Sequence, residues 1–105
     1  MKQSILQRKK ECYFCRALWE AGKELPTEYT SPLHRHHIMH GTANRRIADR
    51  YGLWVWLCPY HHTMAPEAVH RSRFTDLRLI RIGQQAFEQK HSHMEWMELF
   101  RKNYL

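Results

Sequence analysis

Leu53-Trp54-Val55-Trp56-Leu57-Cys58-Pro59-Tyr60-His61-His62 joins an apolar segment directly to three metal-type side chains. Its first five residues are rich in β-formers and bounded by Gly52 and Pro59, which predicts a strand. Cys58-Pro59 then opens a turn or a helix, because proline suits the first helical position. Pro66 is placed to end that segment early. Alternation along the strand is expected to bury one of Trp54 and Trp56 and expose the other, with core packing favoured over base stacking for these rings.

Working outward, Cys58-x-x-His61 repeats the spacing of Cys12-x-x-Cys15. Zinc takes four soft or borderline ligands in a tetrahedron, and two such pairs from separate knuckles supply them. Cys12, Cys15, Cys58 and His61 use every thiol in the chain, so a structural Zn2+ is expected. A redox Cys-x-x-Cys would need a βαβ context that this sequence lacks. Three cysteines cannot all pair within one chain, and Met1 to Glu11 is polar and basic with no apolar signal region, so reduced thiols and a cytoplasmic setting are expected. No apolar run approaches the roughly 20 residues of a membrane span.

A zinc that ties the two knuckles would also draw His34, His36, His37, His61 and His62 together. On a helix His61 and His62 are rotated by about 100°, so one can face the zinc and the other a second metal. On an extended chain His36 and His37 point apart, one free to ligate and one free to act on water. His34 shares the His36 face and is expected to touch DNA or cap the site edge. His40, His91 and His93 have no partner pattern and read as surface residues.

The 105 residues read as one α+β domain, 1–105, with a zinc-framed core over 12–70 and a helical extension over 71–105. Met1 to Lys10 is a basic arm, open to a helix through Ile5 and Leu6. A helical turn through Ala17, Leu18 and Trp19 to Gly22 precedes a polar loop enclosed by Pro26 and Pro32. Leu33 to Met39 is a weak strand. Thr42 or Asn44 can cap a helix over Arg45 to Tyr51, with Gly52 as its left-handed C-terminal cap. Phe74, Leu77, Ile80 and Phe87 recur at near-helical spacing. Ser92-His93-Met94-Glu95 has the form of a capping box, followed by a stripe of Met94, Met97, Phe100 and Tyr104 that suits the core or a homodimer surface.

The net charge of +7 and pI near 9.7 point to a polyanionic partner, with a solvated basic surface as the alternative. Arginine outnumbers lysine, and its planar fork can bind two phosphate oxygens. Arg45, Arg46, Arg50, Arg71 and Arg73 are the candidate phosphate contacts. No recognition helix stands out, so binding through the DNA backbone with little sequence preference is expected.

His36-His37-Ile38, the loop and short helix, Leu57-Cys58 and Pro59-Tyr60-His61-His62 together resemble the ββα-metal core of HNH endonucleases, specifically the small phage-encoded type with a zinc-ribbon frame. The resemblance implies a DNA endonuclease or nickase in a host cytoplasm, alone or within a larger phage complex. It places His37 as general base, His36 and His62 as ligands of a catalytic divalent cation (Mg, Mn, Ni or Zn), and His61 where many members carry a second cysteine. His70, after Pro66, is the candidate third ligand. The pattern's middle asparagine falls at Leu53, and Asn44 is the candidate replacement for its loop-fixing, base-orienting role. A degenerate site would leave a zinc-stapled nucleic-acid-binding or accessory module.

Overall fold

The computed structural model describes residues 2–105. Helix α1 spans Tyr13–Glu20, strand β1 His34–His37, helix α2 Thr42–Tyr51, strand β2 Trp54–Leu57, helix α3 Arg73–Phe87 and helix α4 His93–Phe100; a π-helical turn, Tyr60–Met64, follows β2. The strands pair antiparallel, with His34 opposite Leu57, His36 opposite Val55 and His37 opposite Trp54. The architecture is a small α+β domain with a two-stranded sheet.

Leu53, Val55 and Leu57 point to one face of β2 and are fully buried with Ile38, Leu79, Ile80, Phe87 and Trp96. The two faces of a strand alternate, so Trp54 and Trp56, two residues apart, share the opposite face. The expectation that one is buried and one exposed is corrected accordingly. Their rings meet edge-to-face at 5.4 Å, Arg35 lies over both, and Lys10 lies over Trp56. Trp54 is buried beneath the arm, its Nε1–H donating to the Lys2 carbonyl at 2.9 Å, and Trp56 is half-buried.

The N-terminal arm is irregular and bent, with no helix. Ile5 N–H donates to the Gly52 carbonyl, the Ser4 hydroxyl to the Trp54 carbonyl, and Trp56 N–H to Gln7 Oε1, at 2.9, 2.5 and 2.6 Å. These bonds occupy backbone groups of β2 that a two-stranded sheet would leave open at its edge. They outweigh the weak local preference of a short basic segment for helix. Gly52 has φ +73°, and a Cβ there would lie 2.3 Å from the Gln3 carbonyl oxygen, so both the left-handed cap and the arm's approach require glycine.

One helix begins differently from the sequence reading. Helix α2 starts earlier, at Thr42, behind Gly41, with no side-chain cap, so Asn44 sits in the first turn and does not cap it. Helix α3 is capped by Ser72, whose Oγ accepts from Thr75 N–H. Phe74 falls outside the buried stripe and is 75% exposed. Gly83 lets α3 approach the sheet, as a Cβ there would meet Ile38 at 3.2 Å. The Ser92–Glu95 capping box is present, but Trp96 is the anchor of α4, and Met94 is exposed. Among the described residues no helix is long and apolar enough to cross a membrane.

Two candidate metal centres

Cys12 caps the N-terminus of α1 and Cys15 lies in its first turn, while Cys58 and His61 flank the start of the π-helical turn. Bond lengths of about 2.3 Å to sulfur and about 2.0 Å to nitrogen put the edges of a zinc tetrahedron at about 3.8 Å for S···S and about 3.5 Å for S···N. Cys15 Sγ and Cys58 Sγ are 3.8 Å apart. His61 Nδ1 lies 3.5, 3.5 and 3.4 Å from the sulfurs of Cys12, Cys15 and Cys58. This Cys₃His cluster can hold a structural metal such as zinc. Burial pushes the Cys12 thiol up, and burial with the neighbouring Cys12 and Cys58 pushes Cys15 up strongly. A bound dication is what would offset the cost of three crowded thiolates.

The next residue, His62, turns away from that cluster. Its Nε2 is 2.9 Å from His70 Nε2, and its Nδ1 is 2.9 Å from His34 Nδ1. The backbone brings His70 back: Val69 and His70 N–H groups donate to the carbonyls of His61 and His62 at 2.9 and 3.1 Å. His36, His62 and His70 each place a ring nitrogen within 4.8 Å of the others. Among the described residues, the one buried side-chain nitrogen or oxygen without a hydrogen-bond partner is His36 Nε2. Leaving it unsatisfied would cost about 1–3 kcal/mol, which coordination to a cation would relieve. Burial, then the neighbouring His62 and His70, pushes His36 down to about 3; burial, then His70 and His34, pushes His62 down to about 4. Both are therefore neutral at pH 7, the form that ligates. The donor set fits a borderline divalent ion better than magnesium.

His34 is the hydrogen-bond partner of His62. A ring that ligates through Nε2 carries its proton on Nδ1, so His62 Nδ1–H would donate to His34 and hold its aim.

His37 points away from His36 and places Nε2 2.6 Å from Asp49 Oδ1 on α2. The base-orienting position given to Asn44 is thus corrected: among the described residues no hydrogen bond joins Asn44 to His37, and Asp49 is the side chain that engages it. Leu53, in the asparagine slot, is a fully buried core residue whose N–H donates to the Ala48 carbonyl at 2.8 Å. Asp49 carried a signal in the sequence, being the lone acid between Glu28 and Glu67.

A cleft of about 400 Å³ is lined by His36, His37, His40, Arg45, His62 and His70, among others. His40 is exposed, as expected, but has a partner: its Nε2 is 2.8 Å from Oδ1 of the buried Asp76. His91 and His93 likewise have partners, Glu95 and Glu88 at 3.2 and 3.0 Å.

The expected phosphate contacts divide. Arg45, Arg46 and Arg50 are exposed on α2. Arg71 is spent on the Met64 carbonyl at 2.7 Å, and Arg73 on Asp76 at 3.3 Å. Arg35, which also lines the cleft, escaped the sequence reading. Comparison of the chain with protein-family models, curated proteins and solved structures found no match.

Proposed function

We propose that this chain is a metal-dependent DNA endonuclease or nickase of the HNH, ββα-metal kind. The observation that carries the reading is the buried, unpartnered His36 Nε2, gathered with His62 and His70 in a cleft that also holds the His37–Asp49 pair. A structural zinc cluster alone would need none of these side chains.

A divalent cation held by His36, His62 and His70 would supply Lewis-acid stabilisation of charge on the phosphoryl and leaving oxygens. Asp49 accepts the Nε2 proton of His37, which leaves Nδ1 as the lone pair that takes a proton from water. The water oxygen attacks phosphorus, the bond to the 3′ oxygen breaks, and that oxygen takes a proton from solvent, so the products carry 5′-phosphate and 3′-hydroxyl ends. Asp49 then stabilises the imidazolium that forms, as a carboxylate does in a catalytic triad. Arg45, on the cleft wall, holds non-bridging phosphate oxygens.

A second reading, a zinc-stapled nucleic-acid-binding module, draws on Leu53 standing where the pattern has asparagine. Supercoiled plasmid separates the two. Zinc-loaded wild type and His37→Ala are each given Mg, Mn, Ni or Zn. Cleavage by wild type, reduced by about 10²–10⁴ in the variant with DNA binding retained, supports the nuclease. Equal DNA binding without cleavage by either protein favours the module.

A further inference from the structure

The geometry points to a second phosphate-binding subsite for the polynucleotide, in the cavity between the N-terminal arm and the C-terminal end of α3. The cavity, of about 690 Å³, is bounded by residues of the segment 2–8, by Tyr51, and by Ala86, Phe87, Gln89, Lys90 and His91. Its cations are Lys2, Arg8 and Lys90, and no acidic residue lines it. None of these three makes a salt bridge among the described residues.

Helices α2 and α3 both end here, at Tyr51 and Phe87. Their C-termini contribute about half a negative charge each. Three full positive charges exceed that, so the cavity keeps a net attraction for anions. Compensating the helix ends would have needed fewer cations.

Helix α2 links this cavity to the metal cleft. Arg45, near its start, lines the cleft, and Tyr51, its last residue, lines the cavity. The six-residue step from Arg45 to Tyr51 at 1.5 Å each gives an axial separation of about 9 Å. One strand of duplex DNA places a phosphate every 3.4 Å of axis, so that length covers about three steps. Arg46 and Arg50 are exposed on the same helix and also lack a salt bridge among the described residues. A nucleic acid anchored at both ends of α2 would be held in register over the cleft by phosphate contacts alone. This subsite rests on the nucleic-acid part of the proposed function and not on the chemistry.

The test is the salt dependence of binding to a fluorescent 20-base-pair duplex, for the zinc-loaded full chain without other added metal. Arg8→Ala with Lys90→Ala is compared with wild type and with Lys23→Ala/Arg78→Ala, a cation pair in the groove between α1 and α3. Both altered side chains of the first variant are exposed, and a thermal melt checks that its fold is kept. Loss of two phosphate contacts should flatten the slope of log K against log salt by about two and weaken binding by roughly tenfold at 0.1 M salt. The control pair should change neither. An unchanged slope in Arg8→Ala/Lys90→Ala, or no duplex binding by wild type, overturns the subsite. So does equal competition by polyglutamate of matched charge, which would identify an acidic protein as the occupant. A flattened slope in a protein that never cuts DNA keeps the subsite and removes only the nuclease.

Discussion

The Cys₃His cluster and the His₃ cluster are fed by adjacent residues, His61 and His62, yet they are built for opposite ends. Cys12, Cys58 and His61 are buried, and four protein atoms close the first shell. In the second cluster only His36 is buried, His70 is exposed, and three nitrogens leave positions open toward a cleft. Closed coordination suits a structural metal, whereas an open one suits chemistry. The two clusters differ in ligand number, in burial and in ligand type, and all three differences fit the first to a closed structural metal and leave the second open to a further ligand.

The sharpest way to break that contrast is to remove one ligand from each centre. Helix α1 has no fully buried residue, so its attachment depends heavily on the Cys cluster. Cys58→Ala should therefore release zinc and abolish the cooperative thermal transition, followed by calorimetry and a metal-release dye. His62→Ala should melt cooperatively with its zinc retained, yet lose binding of a second cation. If both variants unfold alike, the two centres are one structural unit.

Asp49→Asn comes next. With Asn the Nε2–H of His37 keeps an acceptor but loses the charge that stabilises imidazolium. Plasmid cleavage should fall by about 10–100-fold with binding of the second cation unchanged. An equal fall in metal affinity would place Asp49 in the metal site instead. Smaller still is His34→Phe, which removes the partner of His62 Nδ1. Affinity of the second centre for cobalt, read from its visible absorption, should drop by roughly tenfold, with the Cys₃His centre unaffected.

Acid sharpens the same contrast. Free His titrates near 6.5, while His36 and His62 in the fold titrate at about 3 and about 4. The unfolded chain then binds more protons than the folded one. Their contribution to stability is complete above pH 6.5 and is lost as pH falls from there toward about 3, the lower of the two folded-state values. Without the second cation, the melting temperature should fall through that window. His36→Phe should flatten the fall.

What could be read without coordinates was mostly short-range. The two x-x spaced pairs, Gly52 as a left-handed cap and the Ser92 capping box depend on neighbours within a few residues, and the structure contains all three features. The zinc-compatible cluster was legible because its spacing is itself the signal. The pairings of Asp49 with His37 and of Asp76 with His40 were not, because they span 12 and 36 residues, and hydrogen bonds at that range leave no local pattern; the sequence shows only that Asp49 is a solitary acid. The arm was misread for a related reason. Its bonds to β2 are tertiary, and they override local preference. The tryptophans were a plain error of period: residues i and i+2 of a strand share a face.

The π-helical turn gears the two centres to each other. Ala65 N–H reaches back five residues to the Tyr60 carbonyl at 2.8 Å, and within that single wide loop His61 and His62 face different ligand sets. An insertion or deletion between Cys58 and His61 would carry His61 and His62 out of place together, so a change of length in that short stretch reaches both centres at once.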